Sequence, residues 1–74
     1  MLKHDIGINA GVIWRLLSSK GALSIRQIGE FTHLEEKMIG LSLGWLARED
    51  KIRFFEKNGV ICAELIPAIP EMYF

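Results

Sequence analysis

The sequence contains few of the residues that cross-link small domains. Its 74 residues include one cysteine, Cys62, so no disulfide can form within the chain. The two histidines, His4 and His33, are far apart and have no ligand-like neighbours, so no metal site is predicted. Chains of this length bury only about 60% of the surface that they expose when unfolded. Association with another chain therefore remains as a source of extra stability.

The chain also lacks an excess of charge of either sign. Nine Lys and Arg residues balance nine Asp and Glu residues, so no overall attraction draws the protein toward nucleic acid, anionic lipid or acidic substrates. No apolar run is long enough to span a membrane and no signal peptide is evident, so we expect a cytoplasmic protein with no membrane contact. Apolar residues make up 50% of the chain, which predicts leftover apolar surface.

Apolar residues at helical spacing predict two helices in the first half of the chain. The first spans about residues 6–19, with Asp5 as its N-cap and Gly21 as the residue that ends it. The second is short and begins at a capping box formed by Ser24 and Gln27. The residues that these helices are expected to bury are Ile6, Ala10, Ile13, Leu17, Ile25, Ile28 and Phe31.

A third helix follows a tight connector at His33, and two helices joined so closely are typical of a helix-turn-helix. This helix spans about residues 35–49. Asp50 ends it, since aspartate is among the few residues that tolerate a left-handed conformation. Its inward stripe consists of Ile39, Leu43 and Leu46.

The next segment predicts a β-hairpin. Asn58-Gly59 separates two alternating runs, 52–57 and 60–65, and this dipeptide is the strongest short hairpin signal. A two-residue loop places Arg53 opposite Glu64, a favourable cross-strand pair. The same register assigns Ile52, Phe54, Ile61, Ala63 and Leu65 to the core face, and Phe55 and Cys62 to the other face.

The last residues differ from the rest in composition. Pro67 and Pro70 prevent a further central strand, so residues 67–74 are expected to form an irregular apolar tail outside a domain of residues 1–66. The tail is too apolar to be left in water. We expect it to pack on its own domain, and the alternative is that it lies against another subunit.

Three helices followed by a hairpin define an α+β winged helix-turn-helix arrangement with a two-stranded wing. Two strings, NAGVIW at residues 9–14 and GWLAREDKI at residues 44–52, resemble the family of short, stand-alone prokaryotic winged helix-turn-helix proteins of unknown function. The resemblance covers the chain up to about Leu65. It implies the fold, but it brings no substrate, catalytic residue or ligand.

In proteins of this shape the outward face of the third helix normally reads DNA in the major groove. Here that face carries only two cations, Lys37 and Arg48, and neither Asn nor Gln. The wing adds Lys57 and Asn58, which the turn itself also requires. A DNA-binding transcriptional regulator that uses helix 35–49 and the wing is therefore the alternative function.

The third helix also carries a second apolar stripe, formed by Met38, Leu41 and Trp45, which the inward stripe does not require. Either the wing or the tail covers Trp45 within one chain, or the stripe contacts another chain. We favour a binding module that acts by protein–protein contacts, as a homodimer or a regulatory adaptor. Its predicted interface consists of Met38, Leu41, Trp45, Phe55, Tyr73 and Phe74.

No catalytic, cofactor or small-molecule site is predicted. No serine, cysteine or carboxylate has a recognisable base beside it, and Cys62 is expected to be a structural thiol. The run from Gly7 to Gly11 lacks the glycine pattern of a nucleotide-binding loop. This pair and the pair Gly40 and Gly44 are instead expected to let a neighbouring backbone approach a helix face closely.

Overall fold

The computed structural model describes residues 3–66, which form three helices and a three-stranded antiparallel sheet. The predicted α+β winged-helix arrangement is confirmed, with one addition: a two-residue strand joins the hairpin to make the strand order β1-β3-β2. The elements in chain order are α1 (Lys3–Lys20), β1 (Leu23–Ser24), α2 (Ile25–Thr32), α3 (Glu36–Arg48), β2 (Ile52–Lys57) and β3 (Val60–Leu65). The hairpin β2–β3 is called the wing below.

Helix α1 begins earlier than its apolar pattern predicts. It includes Lys3 and His4, so Asp5 lies in its first turn and the prediction that Asp5 is the N-cap is wrong. An acid in the first turn still faces the positive end of the helix dipole, which explains why the residue type suits the place. Gly21 ends the helix as predicted, with a φ of 84° and its amide donating to the Leu17 carbonyl at 2.9 Å.

The connection between α2 and α3 is built from local side-chain signals. The predicted capping box is present: the Gln27 amide donates to Ser24 Oγ at 3.2 Å, and the Ser24 amide donates to Gln27 Oε1 at 2.9 Å. His33 then takes a left-handed conformation, with a φ of 60°, and its amide donates to the Gly29 carbonyl at 2.8 Å. This is the tight connector of the predicted helix-turn-helix.

Helix α3 is one residue shorter at each end than predicted, since Glu35 and Glu49 are its caps. Asp50 follows with a φ of 58°, which confirms the left-handed stop. The amide of Lys51 donates to the carbonyl of Leu46 at 2.9 Å and turns the chain into β2.

The wing has the predicted register. Arg53 pairs with Glu64, and Arg53 Nε donates to Glu64 Oε2 at 2.7 Å. Asn58 and Gly59 have φ values of 52° and 80°, the two positive angles that a type I′ turn requires. On its other side β3 pairs with β1 through Leu23 opposite Ala63, so β3 is the central strand.

The core lies between the three helices and the base of the sheet. Its centre is formed by Ile13, Ile28 and Ile39, each at most 1% exposed. The other buried apolar residues are Ala10, Leu17, Leu23, Leu43, Leu46, Ile52 and Ala63.

Three residues assigned to the core are exposed, so those assignments are wrong. Phe31, in the last turn of α2, is 51% exposed, and Lys20 Nζ lies 5.1 Å from its ring centroid. Phe54 and Ile61 are 46% and 48% exposed. They share a sheet face with buried Ala63. Phe54 lies directly opposite Ala63 but on the edge strand β2, whereas Ile61 lies on the central strand nearer the tip of the wing.

The two glycine pairs do not mark close helix packing. Beyond the adjoining helix backbone, a Cβ atom added at Gly7, Gly11, Gly40 or Gly44 would meet no atom of residues 3–66 within 4 Å. The prediction that another backbone of this domain approaches them is therefore wrong. The glycines instead leave open space on both helices.

Candidate interaction surfaces

The outward face of α3 is apolar at its centre and cationic at its ends. Leu41 is 42% exposed and lies on the helix side opposite the buried stripe, between exposed Lys37 and Arg48. Met38 and Trp45 are half-buried, and Trp45 packs against the core. Of the predicted apolar stripe, Leu41 is thus the residue that projects furthest into solvent.

The wing carries a second apolar surface. Phe54 lies opposite Ala63 and Ile61 lies opposite Glu56, so Phe54 and Ile61 are diagonal neighbours on one face. Phe55, on the other face opposite Cys62, is half-buried. Sequence reasoning named Phe55 as an interface residue and missed Phe54 and Ile61. The signal that could have found Ile61 is hairpin length, because strands of six residues extend about 20 Å and a core this small covers only their base. The exposure of Phe54 follows from the place of β2 at the edge of the sheet, which alternation does not encode.

The four residues predicted to contact nucleic acid are all exposed. Lys37 and Arg48 are on α3, whereas Lys57 and Asn58 are at the tip of the wing. None of them takes part in the ion pairs found within residues 3–66, which join Arg26 to Glu30 and Arg53 to Glu64. These groups are accessible to a partner, but Leu41 separates the two on α3.

A groove of about 380 Å³ lies between α1 and α3. Trp14 and Trp45, the two tryptophans of the sequence, both line it. Trp14 is 41% exposed, and sequence reasoning did not single it out as a surface residue. The other lining residues are Gly7, Ala10, Gly11, Arg15, Leu46, Glu49 and Lys51. This groove depends on how two helices cross, which no local pattern encodes.

The structure assembles no evident catalytic group from the residues it describes. No group of three or more His, Cys, Asp or Glu side chains in residues 3–66 could hold a metal ion. Cys62 is half-buried on the central strand, and its Sγ lies 3.8 Å from the carbonyl oxygen of Val60. Over the same range, the helices are too short or too polar to cross a bilayer. The predicted interface residues Tyr73 and Phe74 lie outside the described residues.

A helix-turn-helix followed by a wing places the chain in the winged-helix class. The model of the family described as "Winged helix-turn-helix domain (DUF2582)" matches residues 1–65, and the chain belongs to this family. The resemblance inferred from the two sequence strings is thereby confirmed.

Comparison with solved structures agrees with this membership. The chain is similar to protein BT2368 from Bacteroides thetaiotaomicron, whose structure was determined by solution NMR. The two share 35% sequence identity with a TM-score of 0.80, over 88% of this chain and 79% of that chain. A comparison with curated proteins gives no match. Neither the family description nor the name of the similar protein specifies an activity or a partner.

Proposed function

We propose that this winged helix-turn-helix domain acts by binding protein, as a homodimer or as a regulatory adaptor, through the outward face of α3 and the wing. The observation that carries the proposal is the exposure of Leu41, Phe54 and Ile61, which are 42%, 46% and 48% accessible. Covering such side chains is favourable by about 25 cal/mol for each Å² removed from water. A partner that covers both elements would bind by apolar contact.

The surface of the chain is large enough for such an interface. A standard protein–protein interface removes about 800 Å² from each partner. That is roughly one seventh of the 5513 Å² accessible surface of this chain. A second copy would present the same residues across a two-fold axis.

The alternative is a DNA-binding regulator, which the fold and the exposed Lys37, Arg48, Lys57 and Asn58 support. Against it stand the zero net charge and the make-up of the outward face, where Leu41 and Gly44 lie between the two cations. Recognition helices contact base edges with Arg, Lys, Asn or Gln. Glu35 and Glu36 also stand at the start of α3, where they would repel phosphates.

Sedimentation equilibrium of Leu41→Ala and Phe54→Ala beside the wild type tests the proposal. We expect each substitution to raise the dimer dissociation constant roughly tenfold, equivalent to about 1.4 kcal/mol. Ile8→Ala is the matched control, because Ile8 is 54% exposed and lies on α1, which is not part of the proposed interface. This control should leave the dissociation constant unchanged.

The dependence of binding on salt concentration distinguishes the two functions. Apolar association changes little between about 50 and 200 mM salt, whereas binding to phosphates weakens steeply over that range. The wild type is therefore also titrated with a random-sequence duplex at both salt concentrations. A chain that stays monomeric and binds the duplex tightly, with a steep loss at the higher concentration, would reverse the ordering of the two functions.

A further inference from the structure

The groove between α1 and α3 is lined by two glycines and two tryptophans. Gly7 and Gly11 contribute no side chains, and Trp14 and Trp45 contribute large apolar ones. Beyond the adjoining helix backbone, a Cβ atom at either glycine would meet no atom of residues 3–66 within 4 Å. The volume of about 380 Å³ lies at the lower end of the roughly 300–1,000 Å³ range of ligand pockets. It therefore suits a short peptide segment better than the surface of a folded domain.

The last described residue, Ile66, lies beside this groove. The amide of Ile66 donates to the carbonyl of Lys51 at 3.0 Å, which extends the antiparallel pairing of β3 with β2 by one step. Because β3 runs antiparallel to β2, its last residue, Leu65, pairs with Ile52, just after the end of α3. Glu49 and Lys51, which line the groove, are located there. Ile66, the last described residue, thus lies beside Lys51 of the groove lining, and an extended segment of the length of residues 67–74 reaches about 25 Å.

The sequence of the tail matches the chemistry of the groove. Its first four residues, Pro67-Ala68-Ile69-Pro70, have the P-x-x-P spacing, and such segments dock as polyproline helices in grooves lined by aromatic side chains. Glu71 is the single charged residue of the tail. The groove offers the cations Arg15 and Lys51 against one acid, Glu49.

We infer that residues 67–74 bind in cis in the α1–α3 groove, with the P-x-x-P segment against Trp14 and Trp45. The inference is independent of the proposed function, which uses Leu41 and the wing. It assigns the groove a peptide-binding role. It also implies that removing the tail would uncover a site for proline-rich segments of other chains.

Tryptophan fluorescence reports on this site directly, because both tryptophans of the chain line the groove. The full chain carrying Ile69→Ser and Pro70→Ser is compared with the wild type by acrylamide quenching. We expect a larger quenching constant and an emission maximum at longer wavelength, since the indole rings lose their cover. Val60→Ser, which removes a half-exposed apolar residue from the wing, is the matched control and should change neither value.

A dilution series distinguishes cis docking from exchange of tails between copies. For cis docking, the difference between the double variant and the wild type persists at concentrations where sedimentation shows a monomer. Protection that disappears on dilution together with the dimer would overturn cis docking. Identical quenching of the two proteins at every concentration would overturn docking altogether. At concentrations where sedimentation shows a monomer, Phe54→Ala, which tests the proposed function, should leave quenching unchanged.

Two glycine substitutions, one on each helix, provide a second test within the described residues. Gly11→Ala and Gly40→Ala each add a methyl group to a helix at a place where, beyond the adjoining helix backbone, no atom of residues 3–66 lies within 4 Å. Alanine favours a helix over glycine, so both variants fold. If the tail covers Gly11, the added methyl displaces it and raises tryptophan quenching, whereas Gly40→Ala has no such effect. Equal quenching of both variants and the wild type would count against the assignment.

Discussion

Ser42 is a polar residue inside the apolar core. It is 0% exposed, and its Oγ has no hydrogen-bond partner among the groups that the structure describes. Burying a hydroxyl without a partner costs free energy, because the hydrogen bonds that it made to water are lost. The position on α3 thus favours a small apolar side chain.

We expect Ser42→Ala to raise the free energy of unfolding by about 1 kcal/mol, measured by urea denaturation. Part of any gain comes from the higher helix propensity of alanine, about 0.5 kcal/mol. Ser18→Ala, at an exposed position of α1, measures that part separately. If Ser42→Ala were destabilising, its hydroxyl would have to be hydrogen-bonded in solution.

Single residues also show what a pattern in the sequence can predict. Alternation correctly placed Phe54 and Ala63 on one face of the wing, and the register followed from Asn58-Gly59. Alternation does not tell how far the core extends across a sheet. Ala63, on the central strand β3, is 2% exposed, whereas its partner Phe54, on the edge strand β2, is 46% exposed.

At the scale of elements, local chemistry made the boundaries predictable. The capping box that begins α2, the left-handed Asp50 after α3 and the turn of the wing each depend on residues close together in sequence. Strand β1 depends on a distant partner instead. Leu23 pairs with Ala63, 40 residues further along the chain, and a two-residue strand has no periodicity of its own. The sequence therefore predicted a two-stranded wing in place of a three-stranded sheet.

Ser24→Ala tests how much the capping box contributes to α2. The substitution removes the hydroxyl that accepts from the Gln27 amide, so a helix of eight residues loses a partner for one of its first amides. We expect the free energy of unfolding to fall by about 1 kcal/mol. Ser24→Thr keeps a hydroxyl at the same position and is the control. Equal losses from both variants would mean that packing of β1, and not the cap, determines the effect.

At the scale of the whole molecule, the sheet connects the two halves of the chain. Strand β1 lies between α1 and α2 in sequence but pairs with β3 near the other end of the fold. Ala63 on β3 belongs to the same buried cluster as Ile13 on α1 and Ile39 on α3. The base of the wing is therefore part of the core, although its tip is solvent-exposed.

This connectivity predicts a single cooperative unfolding transition. If the helices and the sheet share one core, neither can open at its centre without loss of the other. We expect the slowest-exchanging amides of α1, α3 and the Ala63 region of β3 to give opening free energies within about 1 kcal/mol of each other, measured by native-state hydrogen exchange. Amides at Asn58 and Gly59 should exchange faster, since the tip of the wing lies outside the core. Much faster exchange at Ala63 than in the helices would show that the wing opens as a separate unit, and its apolar face would then not be a rigid surface for a partner.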